Sequence, residues 1–120
     1  MTDKLDIVGI GNAMVDAIIP SNKGEVEKNN LNRDSMNLID EDLKNSLHNN
    51  YSIKEMAGGG SLGNSMFGIT SFGGNGSFIG KIKNDEVGIF LQKDMVREGL
   101  QFPLGFTSPE ISTGCCTIFV

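Results

Sequence analysis

Apolar positions along the chain fall in short runs, punctuated by glycine and by polar stretches. Leu5–Ile10 is β-branched and closed by Gly11, the pattern of a short buried strand. Ala13–Ile19 is apolar except for Asp16 and stops at Pro20, which predicts a second strand, at a sheet edge. Ser21–Asn32 is polar and rich in Asn, Lys and Glu, and reads as a loop or a mobile hairpin tip. Ser35–Ile39 looks extended. Asp40 is a suitable N-cap for a helix over 41–49, with Glu41 and Asp42 at its positive end and Leu43 and Leu47 on one face.

The second half alternates more regularly. Ser61–Phe72 has helical spacing through Leu62, Met66 and Ile69, and Gly73-Gly74 stops it. Ser77–Ile82 reads as a strand. Asn84 then caps a helix over about 85–98 whose buried face is Val87, Phe90, Leu91 and Met95, with Gly99 at C′. Phe102–Thr107 and Ser112–Val120 are two further strands. This order predicts an α/β fold with a parallel sheet, the helix over 62–72 crossing right-handedly between the strands at 5–10 and 77–82.

Composition narrows the field. The chain has 120 residues, enough for one domain, and a net charge of −5 with its basic residues dispersed. With no Lys/Arg stripe, nucleic acid is not an expected partner. No apolar run nears the ~18 residues of a membrane span, and no secretory signal opens the sequence. A cytoplasmic location is expected. Cys115 and Cys116 are adjacent and read as small apolar residues, and one histidine (His48) is too few for a zinc cluster, so no metal site is expected.

Glycine is the exception to this ordinary composition: there are 16, about twice the usual share, and they cluster. Gly9-Ile10-Gly11-Asn12 follows the first strand and precedes Asp16. Gly58-Gly59-Gly60-Ser61-Leu62-Gly63-Asn64 opens a helix. A dinucleotide fingerprint would need glycine where Met14 stands, and a phosphate loop would need a Lys-Ser/Thr ending that the second cluster lacks. Two readings of the first cluster remain. Asn12 and Asp16 either satisfy the amides of a tight turn, or lie at a ligand site past the carboxyl end of a strand. A carboxylate among apolar residues needs donors, and its two oxygens match two neighbouring sugar hydroxyls. The second cluster is either a flexible loop allowing close packing or a cradle of main-chain N–H groups at a helix start.

Taken together and in order, these segments resemble the amino-terminal third of the ribokinase-like (PfkB) carbohydrate kinases, the adenosine-kinase-like branch in particular. The resemblance runs through Asp6-Ile7-Val8-Gly9-Ile10-Gly11-Asn12 with Asp16, then Ser35-Met36-Asn37-Leu38-Ile39-Asp40, then Gly59-Gly60-Ser61 with Asn64. It continues through Phe78-Ile79-Gly80-Lys81 with Asp85 and Gly88, to Thr113-Gly114. It departs at Leu62 and Met66, where relatives usually carry small residues. It implies a three-layer α/β sandwich, here partial, with a small β-sheet lid. Residues 13–19, 35–39, 102–107 and 112–120 would supply lid strands, and the rest of 1–120 the α/β core.

The resemblance also implies roles. Asn12 and Asp16 would hold sugar hydroxyls, Gly59 and Gly60 would contact the sugar through backbone, and Asn64 would bind or order the substrate. Met14, Ile39 and one of Cys115 and Cys116 would pack on a base or ring. ATP and Mg would serve the complete enzyme, with neither bound by this chain alone. The family's base and anion hole lie in a late Asp-Thr-x-Gly-Ala-Gly-Asp-like segment that these 120 residues lack. No catalytic residue is therefore expected here, and Glu41, Asp42, Glu86, Asp94 and Glu98 are assigned to solvated helix faces or caps.

The expected function is substrate binding within an ATP-dependent sugar or nucleoside kinase, the alternative a non-catalytic nucleoside- or sugar-binding module or degenerate kinase. The partner is a small sugar or nucleoside, adenosine or a relative, and an exposed lid edge can pair with a second copy. The apolar run at Thr117–Val120 suggests a fragment, whose uncovered face would lie at 77–82 and 117–120.

Overall fold

The computed structural model describes residues 4–120. The chain forms two compact units, one of residues up to Asp16 together with Ala57–Cys116, the other of Ala17–Met56 with Thr117–Val120.

In the first unit, β1 (Ile7–Ile10) pairs in parallel with β4 (Gly76–Ile79), Ile7 opposite Gly76 and Ile10 opposite Ile79. Between them in sequence lies α3 (Ser61–Ser71), as the crossover reading expects. The glycines of β1 make room for this helix. A Cβ at Gly9 would fall 2.9 Å from Met66 Sδ, and one at Gly11 would fall 2.6 Å from Leu62 Cδ2. The larger residues of α3 thus fill space that β1 leaves open. The other edge of β4 meets Gln101, whose N–H donates to the Gly76 carbonyl (3.0 Å) and whose carbonyl accepts from Phe78 N–H (2.8 Å).

After β5 (Ile82–Lys83) comes α4 (Glu86–Arg97). Its cap is Asp85 rather than Asn84: the Asp85 carboxylate accepts from Gly88 N–H at 2.7 Å. Val87, Leu91 and Met95 are buried as their spacing predicts, Phe90 only partly. They share the core with Met66, Phe78, Ile82 and Leu100, and the Phe78 and Phe102 rings lie 6.1 Å apart.

A sheet of order β3-β2-β7 contains β2 (Met14–Ile19), β3 (Glu55–Gly59) and β7 (Gly114–Phe119), each strand contributing residues to both units. Three expectations change here. The strand over 13–19 is central, not an edge; Pro20 merely follows its last residue, so no ladder bond is lost. The third strand, β3, lay unseen because Gly58 and Gly59 depress strand propensity, which tertiary pairing overrides. The strand expected over 102–107 is β6 (Phe106–Ser108), and it pairs in parallel with β5 instead of joining this sheet.

Residues 35–39 form no strand either. Asn37 accounts for it: its side chain accepts from Asn32 N–H (3.0 Å) and donates to the carbonyls of Asn32 (3.0 Å) and Ser35 (3.2 Å). A side chain occupies backbone groups that a ladder would use. The polar stretch before it carries a short helix, α1 (Glu25–Lys28), tied by Glu25 and Asn29 to the Tyr51 hydroxyl. In this second unit α2 (Glu41–Asn50) starts as expected, Asp40 Oδ1 accepting from Leu43 N–H at 2.8 Å. Leu47 is buried, His48 Nε2 meets Thr117 Oγ1 at 2.9 Å, and Tyr51 packs edge-on against Phe119.

Of the two segments expected to be uncovered, 77–82 has Phe78 and Ile82 fully buried, while 117–119 is half-buried and Val120 exposed; β1, expected to be buried, exposes Val8 and Ile10. No helix among the described residues is long and apolar enough to cross a membrane.

Because Phe78 is inaccessible and its ring lies beside that of Phe102, Phe78→Ala is expected to cost about 3–5 kcal/mol. Urea unfolding followed by circular dichroism would register a loss that large in a domain of ordinary stability.

Candidate functional site

The candidate residues of the first unit converge on β2. Alternation along this strand buries Val15, Ala17 and Ile19 on one face and leaves Met14, Asp16 and Ile18 half-buried on the other. Asp16 is the only charge in the run. Its carboxylate lies against the backbone of Gly59 on β3: a Cβ there would fall 2.6 Å from Asp16 Cγ and 2.8 Å from Oδ1. Any side chain at 59 would therefore displace the carboxylate.

Gly60 continues the contact. A Cβ at Gly60 would meet Met14 Cβ at 3.6 Å and the Asn12 carbonyl at 3.8 Å. Its φ of 80° and ψ of 158° lie in a region open essentially to glycine alone. From there the chain turns directly into α3, with no side chain capping the helix. Asn64 N–H donates to the Gly60 carbonyl at 2.9 Å, the first bond of the helix, so the N–H groups before it have no partner within the helix. Asn64 and Asn12 are both exposed.

Across β2 from Gly59 lies β7. The Cys116 thiol is pushed above its ordinary value, first by partial burial and then by the negative charge of Asp16. Cys116 therefore feels the carboxylate. Cys115 is half-buried. Ile39 belongs to the second unit, where it is half-buried in the irregular stretch before α2.

The structure accordingly brings together Asp16, Gly59, Gly60, Met14, the Asn12 backbone and Cys116, with Asn64 joined through Gly60. Chemically this is a carboxylate with two acceptor oxygens beside bare main chain at a helix start, a set suited to hydroxyl groups.

Two residues named from the sequence have contacts in this arrangement that the sequence did not reveal. Asp94 is not on a solvated face: it is 7% exposed, accepts from Gly58 N–H at 3.1 Å and pairs with Arg97. Its spacing held the signal, since Val87, Leu91 and Asp94 follow one helical stripe. Thr113, 3% exposed, donates its N–H (3.0 Å) and its hydroxyl (2.8 Å) to Asp85. No local pattern links those two, 28 residues apart.

With this geometry in view, the likeness to solved structures falls into place. The chain has part of the ribokinase-like fold, as solved adenosine and sugar kinases carry it. It is similar to the adenosine kinase from Sinorhizobium meliloti at 32% identity, with a TM-score of 0.79 over 98% of this chain and 36% of that one. A probable sugar kinase from Rhizobium etli matches all of this chain and 36% of its own at 30% identity, with a TM-score of 0.75. Adenosine kinase from Schistosoma mansoni in complex with 2-fluoroadenosine matches in fold, at 21% identity and a TM-score of 0.74 over 98% of this chain. The chain spans about a third of the length of these proteins (36% of each). No protein-family model matches the chain, and no curated protein matches it.

Removing the Asp16 charge lowers the Cys116 pKa and raises its thiolate fraction at neutral pH. In a Cys115→Ser background, Asp16→Asn is expected to speed iodoacetamide alkylation of Cys116, as followed by mass spectrometry. At the neighbouring turn, Gly60→Ala is expected to destabilise the chain by about 1–3 kcal/mol, because alanine is forced into a glycine-only conformation; thermal unfolding measures it.

Proposed function

We propose that this chain is the substrate-binding portion of an ATP-dependent kinase of the ribokinase-like family, acting on a hydroxyl of adenosine or a related nucleoside or sugar. The observation that carries the reading is the Asp16 carboxylate, half-buried against the Gly59 backbone at the glycine-capped start of α3. Each of its oxygens can accept from one of two adjacent ribose hydroxyls, while Gly59 seats the carboxylate and Gly60 leaves the main chain bare for the sugar ring to approach. Asn12, past the end of β1, and Asn64, in the first turn of α3, add amide donors and acceptors at the rim. Met14 and Cys116 give the base an apolar flank. The S. meliloti neighbour, an adenosine kinase at 32% identity, supports a nucleoside as the ligand.

ATP and Mg belong to the complete enzyme in this proposal. The proposal assigns neither group to the residues described here. What these residues contribute is binding and orientation of the acceptor alcohol; the base that takes its proton is not among them.

Isothermal calorimetry of the chain with adenosine and with ribose tests the reading. Binding of adenosine is expected, and Asp16→Ala should weaken it by about 2–3 kcal/mol, roughly 30- to 150-fold, the loss of two charge-assisted hydrogen bonds. A folded chain that gives no heat with either ligand would overturn it.

A further inference from the structure

Asp16 sits on the middle strand of β3-β2-β7, so its surroundings depend on how β3 and β7 are held on either side. Both are fastened to one helix. At the start of α4, Asp85 caps the helix through Gly88 N–H and takes two bonds from Thr113, the residue before β7. Thr113 Oγ1 in turn accepts from Lys83 N–H at 3.0 Å. Gly88 is needed for this closeness, since a Cβ there would fall 2.7 Å from Thr113 Oγ1 and would strike the Lys83 carbonyl. Near the other end of α4, Asp94 accepts from Gly58 N–H, the residue before the glycine that touches Asp16.

Dimensions agree with this arrangement. Nine residues of helix separate the two carboxylates along about 13 Å of axis. Three adjacent strands span about 10 Å from first to third. One rigid rod can therefore reach both outer strands while the apolar stripe Val87, Leu91 and Met95 fixes it in the core.

The geometry points to α4 as the positioning element of the site: Asp94 through Gly58, and Asp85 through Thr113, set the two strands that flank Asp16. The inference rests on the ligand-binding reading above only for its consequence on affinity, not for the positioning itself. It assigns a function to two carboxylates outside the binding set, Asp94 buried and Asp85 half-buried. Asp94 fixes where the Gly59 and Gly60 backbone stands relative to the carboxylate. Thr113 fixes Gly114, where a Cβ would fall 2.9 Å from the Ala13 carbonyl, and with it Cys116 beside Asp16.

The test compares two breaking variants, Asp94→Leu and Thr113→Val, with two conservative ones that keep an acceptor or hydroxyl, Asp94→Asn and Thr113→Ser. Amide hydrogen exchange and adenosine affinity are read for each. Asp94→Leu is expected to speed exchange over residues 58–61, and Thr113→Val over residues 114–116, by at least about tenfold, the scale of one lost buried hydrogen bond. The amides of α4 and β4 should stay protected. Adenosine should bind at least about tenfold more weakly to both, and the conservative variants should recover most of the loss. Wild-type exchange at those segments in folded Asp94→Leu or Thr113→Val would overturn the inference. Should Asp94→Leu not fold, the Thr113 pair decides. If the unaltered chain binds no adenosine, the ligand reading fails while exchange still decides the positioning.

Discussion

A carboxylate pressed against a residue that has no side chain is the constraint on which this molecule turns. Asp16 occupies the middle of an apolar strand and keeps its place because Gly59 leaves the neighbouring backbone bare. Gly60 follows in a conformation that other residues avoid, and the helix α3 begins at once. Three consecutive features of the chain, a strand end, a glycine turn and a helix start, are thus arranged around one charge. A buried charge without partners is costly, so an arrangement that half-buries one beside open main chain favours an incoming group that can donate.

The rest of the first unit serves to hold that arrangement still. The apolar stripe of α4 anchors the helix, and its two carboxylates spend their hydrogen bonds on the backbone of flanking segments rather than on solvent. Apolar packing is non-directional and tolerates small shifts; hydrogen bonds with fixed lengths and angles do not. The division of labour follows: burial supplies cohesion, and the few buried polar contacts set register. The second unit repeats the theme on a smaller scale, with Tyr51 collecting Glu25 and Asn29 at its hydroxyl while its ring rests on Phe119.

Much of this was legible from sequence where a local signal matched the tertiary outcome. The strand at β1, the helix α3, the Asp40 cap and the Leu91–Met95 face all follow from spacing and end chemistry. So did the lone acid in β2 and the glycine turn that meets it, because both violate their surroundings. Legibility failed where long-range pairing overrode local preference. Gly58 and Gly59 read as loop but join a strand whose partner carries the acid. Ser35–Ile39 alternates like a strand, yet Asn37 wraps the backbone in side-chain bonds. Asp94 looked solvated because charge outweighed its place on the buried stripe. The Asp85–Thr113 contact bridges segments that share no pattern at all.

Where Leu62 and Met66 overlie Gly9 and Gly11, bulk on one element is matched by its absence on the other. Neither side of that fit can drift alone. Enlarging either glycine displaces the Met66 or Leu62 side-chain end that faces it, and trimming either long side chain opens a void beside the strand. A substitution at one of these four positions is therefore best matched by a second on the facing element.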